Sequence, residues 1–152
     1  MNTLTTEPLV GSRIQLALNV DDIDAAVAFY AQLLDAEPHK RRPGYANFAL
    51  TEPPLKLVLI ENPGHGGTLN HLGVEVGTTQ EVAAAAARLT GSGLQTLVED
   101  ATTCCYAVQD KVWVTGPGAE RWEVYTVLDD APQVDDTAGA PCTPAGGCSC
   151  SA

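Results

Sequence analysis

Two adjacent cysteines, Cys104 and Cys105, are the residues whose types and spacing point most directly to chemistry. A disulfide between consecutive residues distorts the peptide that joins them, so the two thiols are poorly suited to bridge each other. Neighbouring thiolates instead offer two soft sulfur ligands to one thiophilic atom. Free cysteines also fill protein cores as small apolar side chains, and for a pair taken alone this second explanation is the stronger.

A second group of polar residues comes from three separate segments of the chain. Gln15, His71 and Glu123 each lie on the non-core face of a predicted strand. An amide, an imidazole and a carboxylate come close to a facial triad, which leaves three positions of an octahedral metal open. Open positions distinguish a catalytic metal site from a structural one. Each residue alone is weak evidence, but their joint placement on a repeated scaffold favours a metal site.

The elements that must position these residues follow from periodicity. Residues 13–20 alternate, with Ile14, Leu16, Leu18 and Val20 on the predicted core face. The pair Asp21-Asp22 supplies a predicted N-cap for a helix that ends before Pro38. The other predicted strands are 45–50, 55–60, 70–76, 94–99, 111–115 and 122–128, with a short one at 106–109, and the second helix is 80–89.

The order of these elements repeats. Each half begins with a strand and a helix, continues with several strands, and opens on Gln15 or His71 in the same register. We therefore predict an α+β fold of two βαβββ modules, at about 13–61 and 70–128, whose curved mixed sheet surrounds a metal-containing cavity. Residues 1–12 form an extension. The region 129–152 is rich in proline and glycine, which predicts a disordered, cysteine-containing tail.

Composition narrows the function classes. The 152 residues suffice for one domain. A net charge of −11 with 8 Lys and Arg residues argues against binding to nucleic acid or to anionic lipid. We find no signal-peptide pattern and no apolar stretch near the ~20 residues that span a bilayer. A cytoplasmic protein with reduced thiols is therefore expected, and five cysteines then indicate metal or metalloid chemistry.

Four segments carry a resemblance to known proteins. The closing segment 112–125, VWVTGPGAERWEVY, is similar to the vicinal oxygen chelate superfamily of glyoxalases, bleomycin-resistance proteins and extradiol dioxygenases. The segments 42–49 (RPGYANFA), 52–61 (EPPLKLVLIE) and 104–114 (CCYAVQDKVWV) are more specific. They resemble the ArsI-type C–As lyases and the related cadmium-induced protein CadI. The resemblance covers residues 13–128.

The resemblance implies a non-haem Fe(II) enzyme that uses O2 to cleave the carbon–arsenic bond of trivalent organoarsenicals. By the same resemblance, Gln15, His71 and Glu123 are the metal ligands, and Cys104 and Cys105 bind the arsenic. The glutamine departs from the two histidines and one carboxylate of many superfamily members. Because an amide is a weaker ligand than imidazole, we expect looser metal binding.

Other residues near the thiols could assist them. Tyr106 could close over the substrate or merely pack, and Lys111 could lower the pKa of the thiols or be a solvated lysine. The tail thiols could collect the released arsenite or be dispensable. These thiols belong to Cys142, Cys148 and Cys150.

Two other functions remain open from the sequence. The chain could be a resistance protein that sequesters Cd(II), Pb(II) or As(III) through its thiols without turnover, which requires no open iron site. A glyoxalase-like isomerase is also conceivable but leaves the thiol pair unexplained. The expected partner in each case is a small molecule, and the modules could pair within one chain or exchange within a homodimer.

Overall fold

The computed structural model describes residues 11–104 and 106–130, with only the backbone of Cys104 and Asp130. The order of one strand, one helix and three strands occurs twice in these residues, so the predicted α+β fold of two βαβββ modules is confirmed. The elements are β1 (Arg13–Val20), α1 (Ile23–Leu34), β2 (Lys40–Arg42), β3 (Tyr45–Thr51), β4 (Pro54–Glu61), β5 (Leu69–Glu75), α2 (Thr79–Gly91), β6 (Thr96–Cys104), β7 (Ala107–Thr115) and β8 (Arg121–Asp130).

The strands of the described residues form one mixed sheet in the order β2-β3-β4-β1-β5-β8-β7-β6. The two modules join through their opening strands, because β1 and β5 pair antiparallel. Strand β1 also pairs parallel with β4, and β5 pairs parallel with β8. Strands β1, β5 and β8 are thus adjacent in the sheet, and they carry the three predicted metal ligands Gln15, His71 and Glu123.

Both helices begin at a residue that caps the first turn. The Asp22 carboxylate accepts hydrogen bonds from the backbone N–H groups of Asp24 (2.9 Å) and Ala25 (3.1 Å). Thr78 and Glu81 form a capping box, in which each side chain accepts a bond from the backbone of the other. Over 11–104 and 106–130, no helix has the length and apolar character needed to cross a membrane.

Four strands differ most from the sequence prediction. Strand β6 begins at Thr96 and continues to Cys104, beyond the predicted 94–99, and β8 continues to Asp130, so the predicted disordered tail does not begin at 129. Strand β2 was not predicted, because its residues Lys-Arg-Arg show no apolar alternation. The segments 106–109 and 111–115, predicted as separate strands, belong to the single strand β7. The register of β7 with β8 shifts between Val108 and Gln109, and such a bulge interrupts the alternation from which strands are recognised.

Two apolar clusters hold the helices on one face of the sheet. Helix α1 packs on β3 and β4 around Phe48 and Leu59, and α2 packs on β6, β7 and β8 around Val82 and Val112. Ile14, predicted to face the core, is 44% exposed. Its strand lies between the strands that the two helices mainly cover, so the start of β1 is left open to solvent.

The two phenylalanines of the chain offer a matched test of this packing. Phe48 is fully buried and Phe29 is 59% exposed. We expect Phe48→Ala to lower the free energy of unfolding by about 3–5 kcal/mol, because it leaves a cavity. Phe29→Ala should change it by less than about 1 kcal/mol. Urea unfolding measures both, and equal losses would contradict the position of the core.

Candidate metal centre

Three polar side chains from neighbouring strands meet on the face of the sheet opposite the helices. Gln15 Nε2 lies 3.3 Å from His71 Nε2 and donates a hydrogen bond of 3.0 Å to Glu123 Oε1. His71 Nε2 and Glu123 Oε1 are 3.7 Å apart. All three residues are at least 96% buried, with exposed fractions of 3%, 4% and 3%. The structure thus brings together the three ligands predicted from the sequence.

A glycine makes this approach sterically feasible. Gln15 on β1 is opposite Gly73 on β5, and Gly73 is opposite Glu123 on β8. A Cβ atom at Gly73 would lie 3.0 Å from Gln15 Nε2, 3.0 Å from the Glu123 carbonyl oxygen and 3.1 Å from Glu123 Cγ. These distances are shorter than ordinary van der Waals contact, so a Cβ atom at this position would require Gln15 or Glu123 to shift by a few tenths of an ångström.

The orientation of His71 is set by its neighbour in the chain. His71 Nδ1 lies 2.7 Å from Asn70 Oδ1, and Asn70 Nδ2 donates a bond of 3.1 Å to Asn19 Oδ1. Because an amide oxygen only accepts, the proton of His71 is on Nδ1. The Nε2 lone pair then faces Gln15 and Glu123. A second hydrogen bond that fixes the tautomer in this way is typical of metal-binding histidines.

The amide of Gln15 is held at both ends. The Tyr125 hydroxyl donates a 2.5 Å hydrogen bond to Gln15 Oε1, so the amide nitrogen faces His71 and Glu123. An amide nitrogen has no free lone pair for a metal. A half-turn of the amide would bring the oxygen into the centre, and the Tyr125 hydroxyl would then accept a bond from the nitrogen instead of donating one.

The charge of Glu123 is compensated by a buried lysine. Lys111 Nζ donates a bond of 3.0 Å to Glu123 Oε2, and Lys111 is 0% exposed. Burial by itself raises the pKa of Glu123, but the charge of Lys111 beside it outweighs this effect and holds the pKa below its usual range. Glu123 is therefore ionised at neutral pH, with Oε2 on the lysine and Oε1 facing the centre. The alternative that Lys111 is a solvated lysine is wrong, because its side chain is fully buried within β7. Its effect on the thiols stays a prediction.

These donor atoms fit a divalent cation that prefers octahedral coordination. With metal–ligand bonds of about 2.1 Å, adjacent ligands of an octahedron lie about 3.0 Å apart. The observed separations of 3.0, 3.3 and 3.7 Å are at or slightly above this distance. Within 11–104 and 106–130, no three His, Cys, Asp or Glu residues are grouped so as to hold a metal, because the third donor here is an amide. This fit requires that the Gln15 amide be turned so that its oxygen Oε1, and not Nε2, faces the metal.

The predicted thiol site lies only partly within the described residues. Cys104 ends β6, where its backbone pairs with Ala107. Tyr106 is 4% exposed, and its ring centroid lies 5.5 Å from that of Tyr45. Cys105 lies outside the described residues, as do Cys142, Cys148 and Cys150 of the predicted tail.

Three residues that shape the centre were not predicted from the sequence. Gly73 and Tyr125 come two positions after His71 and Glu123, so the period of two places each on the same face as its neighbour. Asn70 directly precedes His71. The alternation could therefore have identified Gly73 and Tyr125, whereas the contact of Asn70 with the imidazole depends on side-chain conformation.

Comparison with known proteins identifies the superfamily. Residues 13–124 match the sequence model of the Glyoxalase/Bleomycin resistance protein/Dioxygenase superfamily. The chain belongs to this superfamily. Two solved superfamily structures share its fold at a TM-score of 0.59 and 19% identity: an extradiol ring-cleaving dioxygenase from B. fuscum and a Mn(II)-bound glyoxalase from Novosphingobium aromaticivorans. The matches cover 83% and 84% of this chain, and 35% and 42% of those chains.

Curated superfamily members are much more similar in sequence. The cadmium-induced protein CadI of Mycobacterium tuberculosis is 71% identical over 120 residues, 79% of each chain. The trivalent organoarsenical cleaving enzyme of Thermomonospora curvata is 59% identical over 137 residues, 88% of this chain and 89% of that one. A protein of the same name from a Bacillus species is 38% identical over 112 residues, or 72% and 70%. The resemblance stated from the sequence is confirmed.

The buried pair of Lys111 and Glu123 predicts a pH-dependent variant. In metal-free protein, Lys111→Met should lower the free energy of unfolding at pH 7 by about 3–5 kcal/mol, because it isolates a buried charge. In the variant, burial without the lysine raises the pKa of Glu123 above its unfolded value of about 4.3, so the folded variant takes up a proton and regains stability as the pH falls toward that value. In the wild type the pKa of Glu123 stays below that value, so its stabilising contribution is constant over this range. The deficit of the variant should therefore shrink between pH 7 and pH 4.5.

Urea unfolding at the two pH values measures this deficit. Arg88→Met is the matched control, since Arg88 is an exposed cation on α2, and it should change stability by about 0.5 kcal/mol or less. A Lys111→Met deficit of the same size at both pH values would show that Glu123 is not the group that the lysine compensates.

Proposed function

We propose that this chain cleaves the carbon–arsenic bond of trivalent organoarsenicals in a reaction that requires Fe(II) and O2. The observation that carries the proposal is the convergence of Gln15, His71 and Glu123 in a buried centre with an N/O donor set. The organoarsenical cleaving enzyme of T. curvata, 59% identical, supports the substrate class. The adjacent thiols of Cys104 and Cys105 supply the matching arsenic ligands.

The separate roles of the thiol pair and of the N/O site follow from the softness of their donor atoms. Trivalent arsenic prefers thiolates, whereas an open site of amide oxygen, imidazole and carboxylate suits Fe(II). Fe(II) held by Gln15, His71 and Glu123 would supply the binding and activation of O2. Lys111 keeps Glu123 ionised and occupies one of its two oxygens, which leaves Oε1 for the metal. Buried walls around the centre exclude water from it.

The overall reaction balances with one molecule of O2. For methylarsenite, CH3As(OH)2 and O2 give As(OH)3 and formaldehyde: the carbon–arsenic bond breaks, arsenic stays trivalent, and O2 takes four electrons from the carbon. Cys104 and Cys105 would hold the arsenic during this reaction. Positioning both reactants in one cleft can lower a barrier by up to about 7–11 kcal/mol. The tail thiols would receive the arsenite product; these are Cys142, Cys148 and Cys150.

A second function is favoured by a specific comparison. The relative named cadmium-induced protein CadI is 71% identical over 79% of this chain. This name does not imply turnover, and thiols alone can bind Cd(II) or As(III) tightly. A sequestering protein would need Cys104 and Cys105 but would lose nothing when Gln15 is replaced.

The decisive assay for turnover loads the protein with Fe(II) anaerobically, adds methylarsenite and air, and follows free arsenite by arsenic speciation. We expect arsenite release from the wild type that requires both iron and O2. The double variant Cys104→Ser/Cys105→Ser should bind iron normally but release no arsenite. Gln15→Ala should bind arsenic but lose iron affinity. Tight arsenic binding without release under any metal would contradict the proposal and favour sequestration.

Gly73 offers a test of the metal centre that is independent of turnover. Gly73→Ala places a Cβ atom between Gln15 and Glu123, so we expect the affinity for Fe(II) to fall at least tenfold, or by ~1.4 kcal/mol. The control is Gly91→Ala at the end of α2, where an added Cβ meets nothing within 4 Å. Equilibrium dialysis under anaerobic conditions measures both. Equal affinities would place the metal elsewhere.

A further inference from the structure

A second cluster of charged side chains lies on the same face of the sheet, one step along the strands from the metal centre. Arg13 comes two residues before Gln15 and is opposite Glu75, and Lys56 on β4 is opposite Gln15. Because side chains alternate along a strand, these three residues point to the same face as Gln15. The cluster of Arg13, Lys56 and Glu75 is therefore adjacent to the proposed iron site.

Within this cluster the two cations are not equally satisfied. Arg13 Nε donates a hydrogen bond of 2.6 Å to Glu75 Oε2, and Arg13 Nη1 donates one of 3.3 Å to the Leu50 carbonyl. Lys56 Nζ forms a longer ion pair of 3.6 Å with Glu75 Oε1 and lies 5.6 Å from the ring centroid of Tyr125. The single carboxylate of Glu75 is thus shared between two cations.

The cluster carries one positive charge in excess, and it is buried. The side chains of Arg13, Lys56 and Glu75 are 13%, 11% and 8% exposed. Burial lowers the pKa of Lys56; Glu75 opposes this shift, and Arg13 and Lys40 add to it. Burial also lowers the pKa of His39, and the charges of Lys56, Lys40 and Arg13 lower it further. An excess charge is costly when it is buried, so an anion bound beside the two cations would stabilise the cluster.

We propose that Lys56, supported by Arg13, binds an acidic oxygen group on the organic substituent of the arsenical. This inference rests on the proposed function and names its substrate class: trivalent organoarsenicals whose carbon group bears one negative charge, such as a carboxylate. The anion would accept a hydrogen bond from Lys56 and cancel the excess charge of the cluster. The chain has a net charge of −11, so the protein as a whole does not attract an anion. The affinity for the anion therefore depends on the local cations Arg13 and Lys56.

The test compares ligands that differ by a single charge. Isothermal titration calorimetry of metal-free, anaerobic protein measures the affinities for methylarsenite, phenylarsenite and 4-carboxyphenylarsenite. In the wild type, we expect the carboxylate to tighten binding about tenfold over phenylarsenite, the effect of one charge-assisted hydrogen bond. Lys56→Met should reduce this ratio to about one. Glu75→Gln should increase it, because the cluster then carries two positive charges.

The affinity ratio should fall in Lys56→Met and rise in Glu75→Gln, and a general loss of structure cannot change this ratio in both directions. Arg88→Met, which removes an exposed cation from α2, is the matched control and should leave the ratio unchanged. Equal affinities for the two aryl arsenicals in the wild type would overturn the proposal. A wild-type ratio that neither Lys56→Met nor Glu75→Gln changes would also overturn it.

Free benzoate, which has the anion but no arsenic, separates the anion site from the thiol site. We expect it to compete with 4-carboxyphenylarsenite but not with methylarsenite, and to bind in a manner that depends on Lys56. Benzoate binding that depends on Lys56, combined with equal affinities for the two aryl arsenicals, would overturn the substrate assignment. Failure of all three arsenicals to bind would instead contradict the proposed function, while benzoate still tests the cluster.

Discussion

The buried ion pair between Lys111 and Glu123 is the interaction on which the centre depends. A carboxylate that is 3% exposed cannot stay ionised without compensation, and the lysine 3.0 Å away provides it. The same contact decides how the carboxylate is used, because one oxygen belongs to Lys111 and the other faces Gln15 and His71. Removing the lysine would therefore change the charge of Glu123 and also the way in which it can hold a cation.

The two repeated modules of the described residues differ at the position of the Glu123 carboxylate. Gln15 and His71 are each the third residue of their opening strand. Two residues later, Gly73 is opposite Glu123 in the second module, and Ala17 is opposite Val58 in the first. The position that carries a carboxylate in one module thus carries a valine in the other. The two halves of the face have diverged, one into an N/O donor set and the other into an apolar cluster beside Lys56.

The sequence allowed much of this fold to be predicted because its strands alternate and its helices carry clear caps such as Asp22. The same alternation placed Gln15, His71 and Glu123 on one face. It did not give the pairing of Lys111 with Glu123, because the register between β7 and β8 is a long-range property that a bulge shifts. Nor did it give the sharing of Glu75 between Arg13 and Lys56, since this contact depends on the register of three strands.

The central claim is that Gln15, His71 and Glu123 form an iron site, and the crystal structure of the Fe(II)-loaded protein, grown without oxygen, tests it most directly. We predict one iron per chain, bound by His71 Nε2, one Glu123 oxygen and Gln15 Oε1. The Gln15 amide should be turned, with its nitrogen donating to Tyr125, and Lys111 should stay on the second Glu123 oxygen. Iron bound at other residues, or a loaded crystal with the amide nitrogen still facing His71, would contradict the claim.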